Sequence, residues 1–397
     1  VTKDDVELTV FHLRAAHGFR VLLLSLLLIA PISSAVPYQY IAPENTDDGW
    51  RTADAAGQKL DVSKLQTMFD HILAGEYKNI SSVLVVKDGA LVVEEYFPRT
   101  EADRRAQAFR RVTPVEITSA TKSITSILIG IAIDKKLIRS VDEKISKLLP
   151  QYAEVLNDPE RSNLCLRHLL TMSAGLSWDE WSYPYTDERN SHIQMLRAAD
   201  PIRFVLEQKL TGTPGTRFAY SSGVALVLGE IIHKVSGLAV DKFAEKNLFG
   251  PLGITDFYWS KYPREILQTG GGLFLRPRDM AKIGLLFLND GRSRGKQVVS
   301  PEWIRESTTN YISPGQIPSA AKADGYGYQW WLSSFDLGGK KIPSYSARGR
   351  GGQFILVVPS EQLVAVFTGP PDNPLTFQPL ELAERFILPA TARSPSE

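Results

Sequence analysis

Leu65, Met68, Phe69 and Ile72 recur at three- and four-residue spacing, which predicts a helix over Asp61–Leu73 with one apolar stripe. The period then changes. Ser82-Val-Leu-Val-Val-Lys87 and Ala90-Leu-Val-Val-Glu-Glu-Tyr96 are two β-rich runs on either side of Asp88-Gly89, a strong hairpin signal. An Arg-rich stretch from Arg104 to Arg111 reads as exposed. Next comes a long apolar run, Ser123-Ile-Thr-Ser-Ile-Leu-Ile-Gly-Ile-Ala-Ile-Asp134, predicted as a helix opening near Ser119.

Helix-like spacing dominates the middle third, at Leu166 to Met172, Ile202 to Leu210, Val224 to Val235 and Val240 to Leu248. Gly212 to Gly215, Gly237 and Gly250-Pro251 punctuate it. A further helical stretch, Pro277 to Leu288, follows Gly270-Gly-Gly272. The end returns to strands, Gln353-Phe-Ile-Leu-Val-Val358 and Leu363-Val-Ala-Val-Phe-Thr368, before a closing helix over Pro379 to Ile387. Strands at both ends with helices between predict an α/β fold of the α+β type: one α/β lobe (residues 61–118 and 270–390) holding an inserted helical lobe (residues 119–269). Residues 37–60 read as a polar, turn-rich arm and 391–397 as a disordered tail.

Composition narrows the functions. The 397 residues are 43% hydrophobic and 22% charged, ordinary for a globular chain, and 45 basic against 44 acidic residues leave a net charge of +1. That balance gives no electrostatic footprint for nucleic acid. Arg14 and Arg20 precede an apolar run from Val21 to Ile32, and Ser33-Ser34-Ala35 closes it. Such a basic flank, short apolar run and small residues describe a secretory leader, here residues 1–36, and hence an exported protein, periplasmic or secreted. An uncleaved membrane anchor is the competing reading, although Pro31 interrupts the run and a span needs about 20 apolar residues. The single cysteine, Cys165, sits in the apolar run Leu164-Cys-Leu166 and is expected to be buried and inert.

The candidate chemistry starts at Ser119-Ala-Thr-Lys122. On a helix Lys122 returns to the face of Ser119 after one turn, where an amine can take the proton of an otherwise weak nucleophile. A helix N-terminus adds unpaired N–H groups where an oxyanion forms. The same spacing at Ser293-Arg-Gly-Lys296 and Ser319-Ala-Ala-Lys322 has no helix behind it, so context selects Ser119. A hundred residues on, Pro214-Gly-Thr-Arg-Phe-Ala-Tyr220-Ser-Ser222-Gly223 delivers Tyr220 and Ser222 to the entrance of another helix. A tyrosine sharing a proton with Lys122 can shuttle it between nucleophile and leaving group; the competing reading is a half-buried packing tyrosine.

With these motifs the chain resembles the serine β-lactamase and penicillin-binding superfamily. The likeness is to its class C β-lactamase-like branch of carboxylesterases, D-aminopeptidase and DD-peptidase-like enzymes and aminohexanoate-oligomer hydrolases. Ser119-x-x-Lys122 is similar to the first family motif and Tyr220-x-Ser222 to the second. Further likeness lies in Arg167-His-Leu-Leu-Thr-Met-Ser-Ala-Gly175, Gly270-Gly-Gly-Leu-Phe-Leu-Arg-Pro-Arg-Asp-Met280 and Gly325-Tyr-Gly-Tyr-Gln-Trp-Trp331. The resemblance implies a β-lactamase/transpeptidase-like fold, with an antiparallel sheet flanked by helices. It also implies an acylated Ser119 and Tyr220 as general base candidate, with no metal or organic cofactor. The third motif departs: Ala347-Arg-Gly-Arg350-Gly-Gly-Gln353 stands where many members carry Lys-Thr-Gly or His-x-Gly. By likeness to the Gly-x-x-Gly-Gln members, the Arg350 backbone N–H joins that of Ser119 as oxyanion hole. Gly351, Gly352 and Gln353 then border the substrate, with glycines where it must lie close to an edge-strand backbone. Arg348 and Arg350 are candidates for a substrate carboxylate, with a solvated pair of arginines as the competing reading. Loss of the motif's Lys or His removes the usual partner of a β-lactam carboxylate.

Histidines supply little for a Ser-His-Asp alternative. Past the leader only His71, His168, His192 and His233 occur, with no Gly-x-Ser-x-Gly elbow and no metal-ligand spacing. His192 alone lies near the expected site. The loop Ser177-Trp-Asp-Glu-Trp-Ser-Tyr-Pro-Tyr-Thr-Asp-Glu-Arg-Asn190 is expected either to wall the acyl pocket, Trp181 included, or to be an Ω-loop held by its own aromatics. Trp330 and Trp331 read as core. The leading reading is an exported serine hydrolase acting on a small ester or amide, with no stable membrane span once the leader is removed. A β-lactamase or DD-peptidase and a non-catalytic penicillin-binding domain are the alternatives.

Overall fold

A seven-stranded antiparallel sheet carries the molecule. Its strands are β1 (Ser82–Lys87), β2 (Ala90–Tyr96), β3 (Gly325–Tyr326), β4 (Trp331–Leu337), β5 (Lys340–Gly349), β6 (Gln353–Val358) and β7 (Leu363–Thr368). They lie in the order β2-β1-β7-β6-β5-β4-β3, so the first and last strands of the sheet in chain order meet as the β1–β7 pair. The computed structural model describes residues 37–97, 111–262, 265–312, 315–374 and 376–391. The expected leader at 1–36, nearly all of the Arg-rich stretch and residues 392–397 of the expected tail lie outside them.

Strand residues are buried on both sheet faces, which is why β1, β6 and β7 read as unbroken Val/Ile/Leu/Phe runs rather than alternating ones. Val83 and Val85 face α1 (Val62–Leu73) and the closing helical run Gln378–Thr391. Leu84 and Val86 face the other layer, built from α2 (Thr121–Asp134), α3 (Ser222–Ser236) and α4 (Pro277–Leu288). One apolar cluster runs without a break from that sheet face through α2 to α3, across both expected lobes.

Local signals account for most of these elements. Asp61 caps α1 by accepting the Ser63 N–H at 3.0 Å. Ser221 does the same for α3 through Val224, and Gly237 ends that helix with φ +68°. Asp88 and Gly89 both take positive φ, as a tight hairpin turn requires. The expected polar arm is docked rather than loose: Trp50 is buried, and Arg278 grips Glu94 and the arm residues Thr46 and Asp48.

Two expectations change, and one element was not expected. The segment expected as a helix from Ile202 to Leu210 is helical over Pro201–Leu206 only, and Leu210 pairs with Leu176. The one expected over Leu166 to Met172 stops at Leu170, with Met172 at φ +55°. The β4–β5 hairpin had no sequence expectation. Apolar and polar residues are mixed along both strands, and Pro343, in register with Ser334 of β4, lies before β6 begins to pair, on a local edge where proline is tolerated.

Gly284 sets how closely α4 lies on the sheet. A Cβ there would stand 2.4 Å from Val364 Cγ1 and 3.0 Å from Ile355 Cγ2. Gly284→Ala therefore sets a helix-propensity gain of about 1 kcal/mol against an overpacking cost of about 1–3 kcal/mol at a stiff β-branched neighbour. Urea denaturation should show a net loss of up to about 2 kcal/mol; a gain in stability would mean that the helix can back away from the sheet.

Candidate active site

The turn Thr118–Ala120 precedes α2 directly and holds Ser119 half-buried at the helix entrance. Thr118 has φ +46°, an uncommon conformation for a β-branched residue. The tip of β5 explains what holds it there: a Cβ at Gly349 would stand 2.2 Å from Thr118 Oγ1 and 2.3 Å from the Ile117 carbonyl oxygen. Thr118 also donates to the Arg350 carbonyl at 3.2 Å. Sheet and nucleophile turn are thus locked together with only a hydrogen atom between them.

Along α2, residues Thr121 to Ala132 are all buried, Lys122 among them at 2% exposure. Its Nζ lies 3.1 Å from Ser119 Oγ, 2.9 Å from Ser222 Oγ and 2.6 Å from the Gly270 carbonyl oxygen. Three distant stretches meet at this one nitrogen. Ser222 donates to Glu180 Oε1 at 2.8 Å, and its backbone N–H reaches Oε2 at 2.7 Å. Trp178 and Tyr185 also donate to this carboxylate, at 2.6 and 3.1 Å. Tyr220 is half-buried beside the pair, its ring centroid 4.9 Å from Lys122 Nζ. Among the described residues its hydroxyl bonds neither Lys122 nor Ser119.

Ser119 opens into a cavity of about 580 Å³, with Gly349 and Arg350 on one side and Glu180 to Tyr185 on the other. Trp181, Tyr220 and Trp331 form a nearly parallel cluster on its wall, with centroids 5.1, 5.8 and 6.3 Å apart. Trp330 is core, as expected, but Trp331 is both core and wall.

The remaining sequence candidates divide. Arg348 reaches the wall but is not solvated: it is 4% exposed and gives its N–H groups to Ser346, Ala321, Lys322 and Ser333. Burial disfavours its charged form and pushes its pKa down. Arg350 is exposed, its guanidinium 5.4 Å from the Tyr185 ring centroid. Gly351, Gly352 and Gln353 do not line the cavity. The two glycines turn the chain with φ +75° and +87°, and the Gln353 amide donates to the Gly369 carbonyl. Ser222 is likewise behind the wall rather than in it.

Ser293 and Lys296 fall on a short surface ribbon, and Ser319–Ala321 on an isolated turn. The histidines stand apart from Ser119: His71 pairs with Glu76, His168 with Cys165, His233 with the Leu238 carbonyl. His192 lies between Tyr185 and Tyr262, and burial pushes its pKa down. Cys165 is buried, as its sequence context implies.

A family model described as Beta-lactamase matches residues 69–374. The chain belongs to the beta-lactamase family. It is 25% identical over 318 residues to an uncharacterized protein of Alkalihalophilus pseudofirmus, covering 72% of this chain and 82% of that one. It is 27% identical over 194 residues to the lovastatin esterase of Penicillium rubens, covering 44% of this chain and 46% of that enzyme, so the match spans less than half of that relative. In fold it is similar to the simvastatin synthase of Aspergillus terreus, with a TM-score of 0.64 at 18% identity over 84% of this chain and 99% of the other. This beta-lactamase-family chain is a serine hydrolase with the mixed α/β architecture of its family.

Two members of the site had no individual signal in the sequence. Glu180 was one acidic residue among several in the loop, indistinguishable there from Asp179, Asp187 or Glu188. The Gly270 carbonyl is a backbone atom, and only its Gly-rich context marked it.

Proposed function

We propose that this hydrolase cleaves a small ester or amide through an acyl-enzyme on Ser119. The observation that carries the reading is Lys122 Nζ at 3.1 Å from Ser119 Oγ in the wall of an aromatic cavity. In this reading the hydroxyl proton passes to Lys122 as Oγ bonds to the acyl carbon. The carbonyl electron pair moves onto oxygen, where the backbone N–H groups of Ser119 and Arg350 receive it. Tyr220, alongside Lys122, returns the proton to the leaving group, and water then releases the acyl group by the reverse route. Residues supply every step, and no metal or organic cofactor is called for.

The cavity also ranks substrates. No ammonium of the third-motif type is present, and the Arg348 guanidinium is already occupied by neutral oxygens of its own chain. Apart from the exposed Arg350 side chain beside Tyr185, what faces the substrate is mainly aromatic surface, which favours neutral apolar acyl groups over a β-lactam carboxylate. We also infer export, from the basic flank, apolar run and Ser33-Ser34-Ala35 at the N-terminus.

Ser119→Ala should abolish turnover of p-nitrophenyl esters in a folded protein, whereas Ser293→Ala and Ser319→Ala should be nearly silent. Lys122→Ala and Tyr220→Phe should each cost about 10²–10⁴ in kcat, with losses that do not multiply in the double variant. A folded Tyr220→Phe that kept most activity would leave Lys122 as the sole base.

Short-chain esters should be hydrolysed faster than nitrocefin. Equal turnover of the two would place the β-lactamase alternative first.

Expressed with its leader in a secreting bacterial host, the chain should be recovered with an N-terminus at or just after Ala35. Recovery only in the membrane fraction with the leader intact would favour the anchor.

A further inference from the structure

Lys122 Nζ has three oxygen neighbours, and the proton inventory around them is nearly closed. Gly270 offers a carbonyl, which only accepts. Ser222 has one hydroxyl proton, and Glu180 Oε1 takes it at 2.8 Å. Glu180 accepts at both oxygens: Oε2 takes the Ser222 backbone N–H and Trp178 Nε1, which have no alternative polarity, and Oε1 takes the Tyr185 hydroxyl beside that of Ser222. With its proton committed, Ser222 Oγ can only accept from Lys122.

A neutral lysine amine has two N–H groups and one lone pair. Two of its three neighbours accept and do not donate, so both N–H groups are spent on Ser222 and Gly270. The lone pair is left on the side of Ser119, whose hydroxyl is the only remaining neighbour able to give a proton. We infer that Glu180 is a positioning residue for the reaction: by holding the Ser222 hydroxyl as an acceptor, it directs the Lys122 lone pair onto Ser119. This rests on the reading that Lys122 is the base for Ser119. Glu180 meets Lys122 only through Ser222, so removing either residue should break one and the same device.

Glu180→Gln tests the direction of the protons rather than the shape of the site. Its amide oxygen is claimed by the Ser222 and Trp178 N–H groups, so its NH₂ faces Ser222 Oγ. The Ser222 hydroxyl must then turn and donate to Lys122, taking the lone pair that Ser119 needs. Glu180→Gln and Ser222→Ala should each lower kcat for p-nitrophenyl acetate by about 10², with KM changed less than about threefold. In the Ser222→Ala background, Glu180→Gln should cost less than about threefold more. Losses that multiply, a loss carried by KM, or wild-type kcat in either single variant would overturn the inference and leave Glu180 as cavity wall.

Thermal melts establish that each variant is folded. Should Glu180→Gln fail to fold, Ser222→Thr decides: it keeps the hydroxyl and should recover at least about tenfold of what Ser222→Ala loses. Equal losses in the two would overturn the inference. Ser119→Ala separates the two levels of the argument. If it is inactive while Glu180→Gln is fully active, the positioning role falls and the nucleophile stands. If it remains active, the underlying reading falls with it.

Discussion

Lys122 is 2% exposed on a helix buried along nearly its whole length, and an amine so placed costs on the order of several kcal/mol unless each polar contact finds a partner. Its oxygen partners come from three separate parts of the chain: the turn before α2, the first residue of α3, and the Gly270 carbonyl. None can shift without leaving a buried polar group unpaired. The apolar cluster joining the sheet, α2 and α3 therefore does more than stabilise the fold. It holds the one nitrogen on which the proposed chemistry turns at a fixed distance from Ser119.

A second lock acts from the sheet. Strand β5 pairs with β4 only up to Ser346 and Trp331, so Ala347 to Gly349 form a local edge beside the cavity. That edge presses against the Thr118 turn at Gly349, and no side chain fits between them. The glycines of this motif read naturally as room for a substrate. In the structure Gly349 makes room for Thr118 and Ile117, and Gly351 for the Pro370 carbonyl, before any substrate arrives. Backbone from the sheet and backbone from the helix entrance are brought to one wall, as an oxyanion site requires.

What the sequence disclosed follows the range of its signals. Asp88-Gly89, the stripe of α1 and the apolar runs of β6 and β7 are local patterns, and each appears at or within a residue or so of its expected place. Ser119, Lys122 and Tyr220 were legible because short motifs fix them, and the structure places them side by side. The β4–β5 hairpin, mixed in composition, was not legible, since its pairing is decided by the strands beside it rather than by its own pattern. Glu180 escaped for a related reason. Its importance lies in a contact with Ser222, 42 residues away, that spacing cannot encode. Arg348 shows the reverse error: two arginines near a third motif look alike in sequence, but one is buried and bound while the other is exposed.

That difference bears on what the cavity can recognise. A buried guanidinium is a strong anion ligand only while some of its donors are free and aimed at the ligand. Arg348 has Nε on Ser346, Nη1 on the Ala321 and Lys322 carbonyls, and Nη2 on Ser333, so it ties β5 to β4 and to the turn that carries Ala321. Recruiting it for a substrate carboxylate would break bonds that hold the wall in place. The rings of Trp181, Tyr220 and Trp331, stacked on one another, form an aromatic patch on the wall at the mouth of the nucleophile. In the proposed reading selectivity therefore rests on dispersion and shape against an aromatic surface, with the exposed Arg350 as a further lining residue. Such a surface discriminates weakly between acyl groups that differ by a methylene, worth about 1–3 kcal/mol, and more sharply against a charged group placed beyond the reach of Arg350, where nothing replaces its water.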